Sequence, residues 1–262
     1  MPSSVQQISD IIKMANKNSV PYMIIGKGSN ILFGDGGYDG VIINIGKNLS
    51  ETRMLSGDSI YCGAGMSLSG LCLFAMENSL CKLEFAYGIP GSVGGAAYMN
   101  AGAYGGEMSD VLVSVDYIDS DGNMLTCAGD ALELSYRHSF FTDKPYCIVG
   151  CTFKLKPGDK QSIKQRMDEL MEKRKSKQPL DYPSAGSTFK RPVGGYASAL
   201  IDECGLKGFR VGGAMVSEKH AGFVINYDNA TCTDVEKLVN EVKKVVREQT
   251  GYSLECEIKI VK

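Results

Sequence analysis

Between Glu84 and Gly106 the chain reads EFAYGIPGSVGGAAYMNAGAYGG, with seven glycines, five alanines and one proline. A segment so poor in side-chain volume admits close approach, either by other backbone or by a ligand. Glycine tolerates positive φ and leaves amide N–H groups uncovered. Gly88, Pro90, Gly91, Ser92, Gly94, Gly95 and Gly102 therefore form a candidate surface for a phosphate or a flat ring. Glycine spacing alone does not separate that reading from tight packing of a turn-rich core.

Length and charge bound the alternatives. A chain of 262 residues is long enough for one large or two ordinary domains. Lys and Arg total 28 against 30 Asp and Glu, a net charge of -2 that leaves no basic footprint for nucleic acid. The nine cysteines are scattered singly, with no CxxC pair and only two histidines, so they are expected to be reduced and mostly structural, and no metal is expected. No signal-like N-terminus or membrane-length apolar run is present, which points to a soluble, cytoplasmic protein without a membrane partner.

Periodicity places the elements. Val5, Ile8, Ile11, Ile12 and Ala15 predict an amphipathic helix with Ser3 or Ser4 as N-cap. Tyr22 to Ile25, Ile31 to Phe33 and Val41 to Ile45 read as strands, with the loop Gly26, Lys27, Gly28, Ser29, Asn30 between the first two. That loop matches neither GxxxxGK[ST] nor a GxGxxG that opens a helix, yet its amides and the Ser29 and Asn30 side chains make an anion loop; a tight turn without ligand is the alternative. Gly63 and Gly65 do precede a helix, but lack the third glycine of a dinucleotide fingerprint. Val111 to Ile118 and Met124 to Cys127 predict a hairpin, and Tyr146 to Leu155 a further strand. After Pro157 the composition shifts to a charged helix, Gln161 to Lys177, with Ile163, Met167, Leu170 and Met171 inward. A long helix from Asp234 to Gln249 carries an expected Thr233–Glu236 capping box and ends at Gly251, and Leu254 to Val261 reads as a last strand. The expectation is α+β architecture in two domains, 1-157 and 158-262.

Polar residues in apolar or glycine-rich surroundings are the chemical candidates. Arg137 stands between Tyr136 and His138, ahead of Phe140 and Phe141; an ion pair would also explain it. Ser187 follows Gly186 without the strand-to-helix elbow of a hydrolase serine, and a plain turn is its alternative. Lys190 and Arg191 make a plausible anion clamp. Glu257 lies in an alternating segment where Glu255, Glu257 and Lys259 share a face, which a solvated strand would equally produce. His138 and His220 are expected to be structural.

Six ordered motifs join these candidates: GKGSNIL at Gly26, GIPGSVGGAAYMNAGAYGGE at Gly88, YRHSFF at Tyr136, SAGSTFKRP at Ser184, GLKGFRVGGAMVSEKHAGFVIN at Gly205 and LECEIKI at Leu254. In these the chain resembles, over nearly its whole length, the flavoprotein UDP-N-acetylenolpyruvoylglucosamine reductases of bacterial cell-wall synthesis. The resemblance implies a two-part FAD-binding domain of the PCMH/vanillyl-alcohol-oxidase type followed by a smaller substrate-binding domain. It implies non-covalent FAD on the loops Gly26 to Asn30 and Gly88 to Gly95, with NADPH as co-substrate. Ser187, Arg137 and Glu257 match its catalytic positions; Tyr136, Lys190, Arg191 and Lys219 fall where the family handles the sugar nucleotide, UDP-N-acetylglucosamine enolpyruvate.

The spacing from Arg137 to Ser187 looks like the subtype lacking an inserted tyrosine-bearing loop. Met1 stands directly before Pro2-Ser3-Ser4, where relatives carry an earlier strand, so the N-terminal part is expected to be shortened. Met215 stands where many relatives have glutamine, and Arg191 where others have asparagine. A monomer is expected. Two other readings remain at this level: another FAD-dependent oxidoreductase of the same superfamily, or a truncated, non-catalytic nucleotide-binding remnant.

Overall fold

The structure, a computed structural model, describes residues Met1–Lys262. In chain order the first elements are α1 (Val5–Lys17), β1 (Tyr22–Ile25), β2 (Ile31–Phe33), β3 (Val41–Asn44), β4 (Thr52–Met54), β5 (Ser59–Gly63), α2 (Leu68–Glu77), β6 (Leu80–Cys81) and α3 (Val93–Tyr98). Next come β7 (Gly102–Ala103), β8 (Gly106–Glu107), β9 (Leu112–Ile118), β10 (Met124–Ala128), β11 (Cys147–Lys154), β12 (Lys156–Pro157) and α4 (Lys160–Lys177). The chain closes with β13 (Ser184–Ser187), α5 (Ala197–Glu203), β14 (Arg210–Val211), β15 (Ala214–Val216), β16 (Phe223–Asn226), α6 (Cys232–Thr250) and β17 (Lys259–Val261).

Two compact units result, Met1–Lys27 with Asp39–Glu172, and Gly28–Tyr38 with Lys173–Lys262. The division falls later than the composition shift at Pro157, because Ile163 and Met167 of α4 are buried in the core of the first unit. It also assigns Gly28–Tyr38 to the second unit, where β2 runs parallel to β17 and pairs Ile31 with Lys259 and Phe33 with Val261. The α+β expectation holds in both units.

In the first unit an antiparallel sheet of order β10-β9-β11-β5-β4 carries the predicted hairpin and strand. Its apolar residues, among them Ile60, Val115, Ile118, Cys151 and Phe153, join Leu68, Leu71 and Cys72 of α2 and Ile8 and Ile12 of α1 in one core. Burying such side chains is the main favourable term of folding, about 1.5–3 kcal/mol each. Ser4 caps α1, its hydroxyl accepting from Gln7 N at 3.2 Å. The cysteines are mostly buried; burial pushes the Cys62 thiol up to about 11 and Cys147 up to about 12, which keeps them protonated at neutral pH.

In the second unit the sheet order is β13-β16-β15-β14. Ala214, Val216 and Val224 from the sheet meet Leu238, Val239, Val242 and Val246 from α6 and Ile201 from α5. The cap of α6 lies two residues before the expected one: Thr231 Oγ1 accepts from Asp234 N at 3.1 Å, and Asp234 accepts from Thr231 N at 3.1 Å. Thr233 has a different partner, Asp35, which accepts from Cys232 N at 2.6 Å, Thr233 N at 3.2 Å and the Thr233 hydroxyl at 2.6 Å. Gly251 ends the helix at φ 78°, as expected. No helix is long and apolar enough to cross a membrane.

Candidate functional site

In the first unit Arg137 sits in a tight turn. Ser135 and His138 exchange both main-chain bonds at 3.1 Å, leaving Tyr136 and Arg137 at the tip, with Arg137 in the left-handed region at φ 56°. That conformation is uncommon for a branched-free but bulky side chain and persists only where the surroundings impose it. Phe141, fully buried, anchors the segment through edge contacts with Tyr117 and Phe140. Arg137 donates to Gly102 O at 3.4 Å, and its guanidinium lies 5.0 Å from the Tyr136 ring centre.

Asn100, which sequence reasoning passed over inside the glycine stretch, holds this arrangement. Completely buried, it donates to Ser135 O and accepts from Ser109 N, each at 2.9 Å, tying the Arg137 turn to the β7–β8 hairpin. Buried amides are retained where they are fully hydrogen-bonded. The available signal was an asparagine alone among small apolar neighbours.

The glycine stretch divides by use. A Cβ on Gly26 would overlap the Ser92 hydroxyl, and one on Gly94 would stand 2.8 Å from Ala64 Cβ, so these glycines allow the loops to pack on each other. Gly95, exposed, would meet only Ser92 Oγ at 3.3 Å. The expected uncovered amides are partly engaged: Val93 N donates to Met66 O at 2.8 Å, Gly94 N to Ala64 O at 2.9 Å and Gly95 N to Ser92 Oγ at 3.3 Å. What this segment offers a flat ligand is therefore a bare surface at Gly95 more than a set of amides at the start of α3. Gly63 and Gly65, the weaker dinucleotide candidate, pack on the carbonyls of Leu49 and Gly46.

In the second unit Ser187 is the last residue of β13, half-buried. Gly186 presents it, with φ 80°, a conformation that L side chains rarely adopt. The neighbouring Thr188 is buried and fully used: its N–H donates to Gly222 O at 2.8 Å, its hydroxyl accepts from Val224 N at 2.9 Å, and its carbonyl accepts from Glu257 N at 2.9 Å. Ser187 and Glu257 are thereby locked into adjacent segments. Nothing in the sequence pattern marked Thr188, since a threonine after Gly-Ser is ordinary in a turn.

The expected strand Leu254 to Val261 changes partner along its length. Cys256 bridges Phe189 in antiparallel fashion, whereas only Lys259–Val261 pairs in parallel with β2. Glu257 is half-buried while Glu255 and Lys259 are exposed, so the three do not form one solvated face. Asn30 joins the same place: its Nδ2 donates to Glu257 O at 3.0 Å, and its carbonyl accepts from Lys259 N at 3.0 Å. Gly28, at φ 68°, faces open space.

The basic candidates are exposed or half-buried. Lys190 Nζ lies 3.4 Å from Glu255, an exposed pair of the kind that contributes about 0–1 kcal/mol. Arg191 lies 4.6 Å over the Tyr196 ring, and Lys219 Nζ donates to Lys175 O at 2.6 Å. Met215 is buried, its sulfur 3.0 Å from Arg210 Nε. His220 accepts from Gly222 N at 3.1 Å and meets the Phe223 ring edge-on, a structural role; burial first, then Lys207 and Lys177, hold its pKa below the ordinary value.

Comparison with known proteins gives two family matches, an FAD binding domain over residues 1–128 and the C-terminal domain of UDP-N-acetylenolpyruvoylglucosamine reductase over residues 178–261. The chain is 45% identical over 260 residues to the UDP-N-acetylenolpyruvoylglucosamine reductase of Lachnoclostridium phytofermentans, covering 98% of this chain and 84% of that one. It is 48% identical over 268 residues to that of Agathobacter rectalis, covering 98% and 85%. The crystal structure of the Thermus caldophilus reductase superposes with a TM-score of 0.84 at 35% identity, covering 99% of this chain and 90% of that one.

Proposed function

Because the chain belongs to the UDP-N-acetylenolpyruvoylglucosamine reductase family, we infer that it reduces UDP-N-acetylglucosamine enolpyruvate to UDP-N-acetylmuramate in peptidoglycan precursor synthesis. FAD is its cofactor and NADPH its co-substrate, and both matched domains are present in one chain. The chemistry that bound FAD would supply is transfer of a hydride equivalent between NADPH and the enolpyruvyl double bond. The remaining work falls to side chains.

Hydride addition puts negative charge α to the substrate carboxylate, and donors aimed at developing charge are usually the largest catalytic contribution. We assign that task to Arg137, whose strained turn fixes its backbone, and separately to Glu257, which donates to the developing charge as a protonated carboxylic acid or through a water it holds. Ser187 delivers the proton to the carbon next to the carboxylate. A hydroxyl is a weak acid, but an enolate carbon is strongly basic, so positioning suffices. The observation that supports this pairing is the bond from Glu257 N to Thr188 O, which seats the glutamate beside the serine segment.

Lys190, Arg191 and Lys219 are assigned to the diphosphate and Tyr136 to the sugar nucleotide. For the cofactor, Gly26 to Asn30 and Gly88 to Gly95 with Gly102 are the proposed contacts, and in the second unit the open space around Gly28 leaves room for close approach. The proposed roles are FAD binding for the first compact unit and substrate binding for the second. A cytoplasmic location is proposed, and a monomer is the proposed solution state, to be checked by light scattering. The activity is tested on the purified protein by its visible spectrum and by NADPH oxidation with and without the enolpyruvyl sugar nucleotide. A yellow protein whose NADPH consumption depends on that substrate is expected; a yellow protein indifferent to it would overturn the assignment.

A further inference from the structure

Asn30 belongs to a loop expected to hold the cofactor, yet its side chain is committed elsewhere. In a parallel ladder, one residue bonds through its own N–H and C=O to residues two apart on the neighbouring strand. Asn30 does this with a substitution: its carbonyl takes Lys259 N at 3.0 Å, but Glu257 O, two residues earlier, is reached at 3.0 Å by Nδ2 in place of the main-chain N–H. The turn bond from Ile31 N to Gly28 O, at 3.2 Å, bends the loop away just where the β2–β17 ladder would continue.

The peptide of Glu257 is thus gripped on both sides, its N–H by Thr188 O at 2.9 Å and its carbonyl by Asn30. The loop itself is tethered at its far end by the three bonds that Asp35 accepts from the start of α6 and by Gly34 N to Val261 O at 2.7 Å.

We propose that Asn30 is a positioning residue for Glu257: its side-chain amide extends the ladder that orients the glutamate, relieving the main-chain N–H of that duty. The loop sequence GKGSN then serves two ends, Gly28 facing open space and the asparagine bonding the segment that carries Glu257. This rests on the role given above to Glu257. Small displacements of a catalytic group cost up to about 100-fold in rate.

The test uses the FAD-loaded chain with Asn30→Ala and the near-isosteric Asn30→Asp, which keeps shape but loses the donor. FAD content is read from the visible spectrum, the NADPH-dependent and enolpyruvyl-dependent half-reactions are timed separately, and amide hydrogen exchange is followed over residues 254–258. Per bound FAD, both variants are expected to lose about 10- to 100-fold more in the enolpyruvyl half-reaction than in the NADPH half-reaction, and to exchange faster at 254–258. Loss of FAD with an unchanged rate per bound cofactor, or unchanged exchange at 254–258, would overturn the proposal. An equal fall in both half-reactions would do the same. A wild-type protein inert toward the enolpyruvyl substrate, with faster exchange in the variants, would instead sink the assigned activity and leave the positioning role standing.

Discussion

The glycine stretch of the first unit and the Ser187–Glu257 segments of the second are built on opposite principles. At Gly26 and Gly94 the first works by omission: absent side chains let Ser92 and Ala64 close in, and the amides thus brought together satisfy one another. The second works by commitment, with Thr188 using every polar atom it has and Asn30 spending its side chain on one carbonyl. Sterically built segments should therefore fail in stability when volume is added, while polar segments should fail in function when a single bond is removed.

The sharpest break in that contrast comes from two adjacent glycines. Gly94→Ala forces a Cβ to within 2.8 Å of Ala64, whose backbone cannot yield cheaply, and should cost about 3 kcal/mol in urea unfolding. Thr188→Val leaves the buried Val224 N–H without its acceptor at about 2 kcal/mol, and additionally slows the enolpyruvyl half-reaction, since Glu257 is hung from the same residue. A Thr188→Val enzyme that lost stability but no rate would blur the distinction. Gly95→Ala should change stability by less than about 1 kcal/mol, the helix gain of alanine offsetting the crowding of Ser92 Oγ. Its effect should appear as weaker FAD binding, measured by titration of the apoprotein.

The smallest expected effect concerns His220, whose pKa is lowered by burial and by Lys207 and Lys177. The folded state then binds this proton less readily than the unfolded chain. The associated stability is present above the ordinary imidazole value of about 6.5 and is lost as pH falls through the lower folded value. Melting temperatures between pH 7 and 5 should drop more steeply in the wild type than in His220→Gln.

Much of this was legible from the chain, for identifiable reasons. The amphipathic helix α1, the β9–β10 hairpin and the inward side of α4 follow from periodicity, which depends on burial alone. The α6 cap was misplaced by two residues because Thr231 and Thr233 are equally good capping types, and only the tertiary partner Asp35 decides between them. The same limitation hid Asn100 and Thr188, whose importance lies in their hydrogen-bond partners and not in their residue type. The segment before β17 was expected as one strand because its alternation is regular; its change of neighbours from Phe189 to β2 leaves no trace in that alternation.

The central claim is that the second unit's serine serves only the step that protonates the substrate. Rapid-mixing kinetics of Ser187→Ala measure it directly, with FAD content matched to wild type. NADPH-dependent bleaching of the visible band should proceed at a nearly normal rate, and its recovery on adding the enolpyruvyl sugar nucleotide should be nearly abolished. Equal slowing of both phases, or recovery at the wild-type rate, would contradict the account.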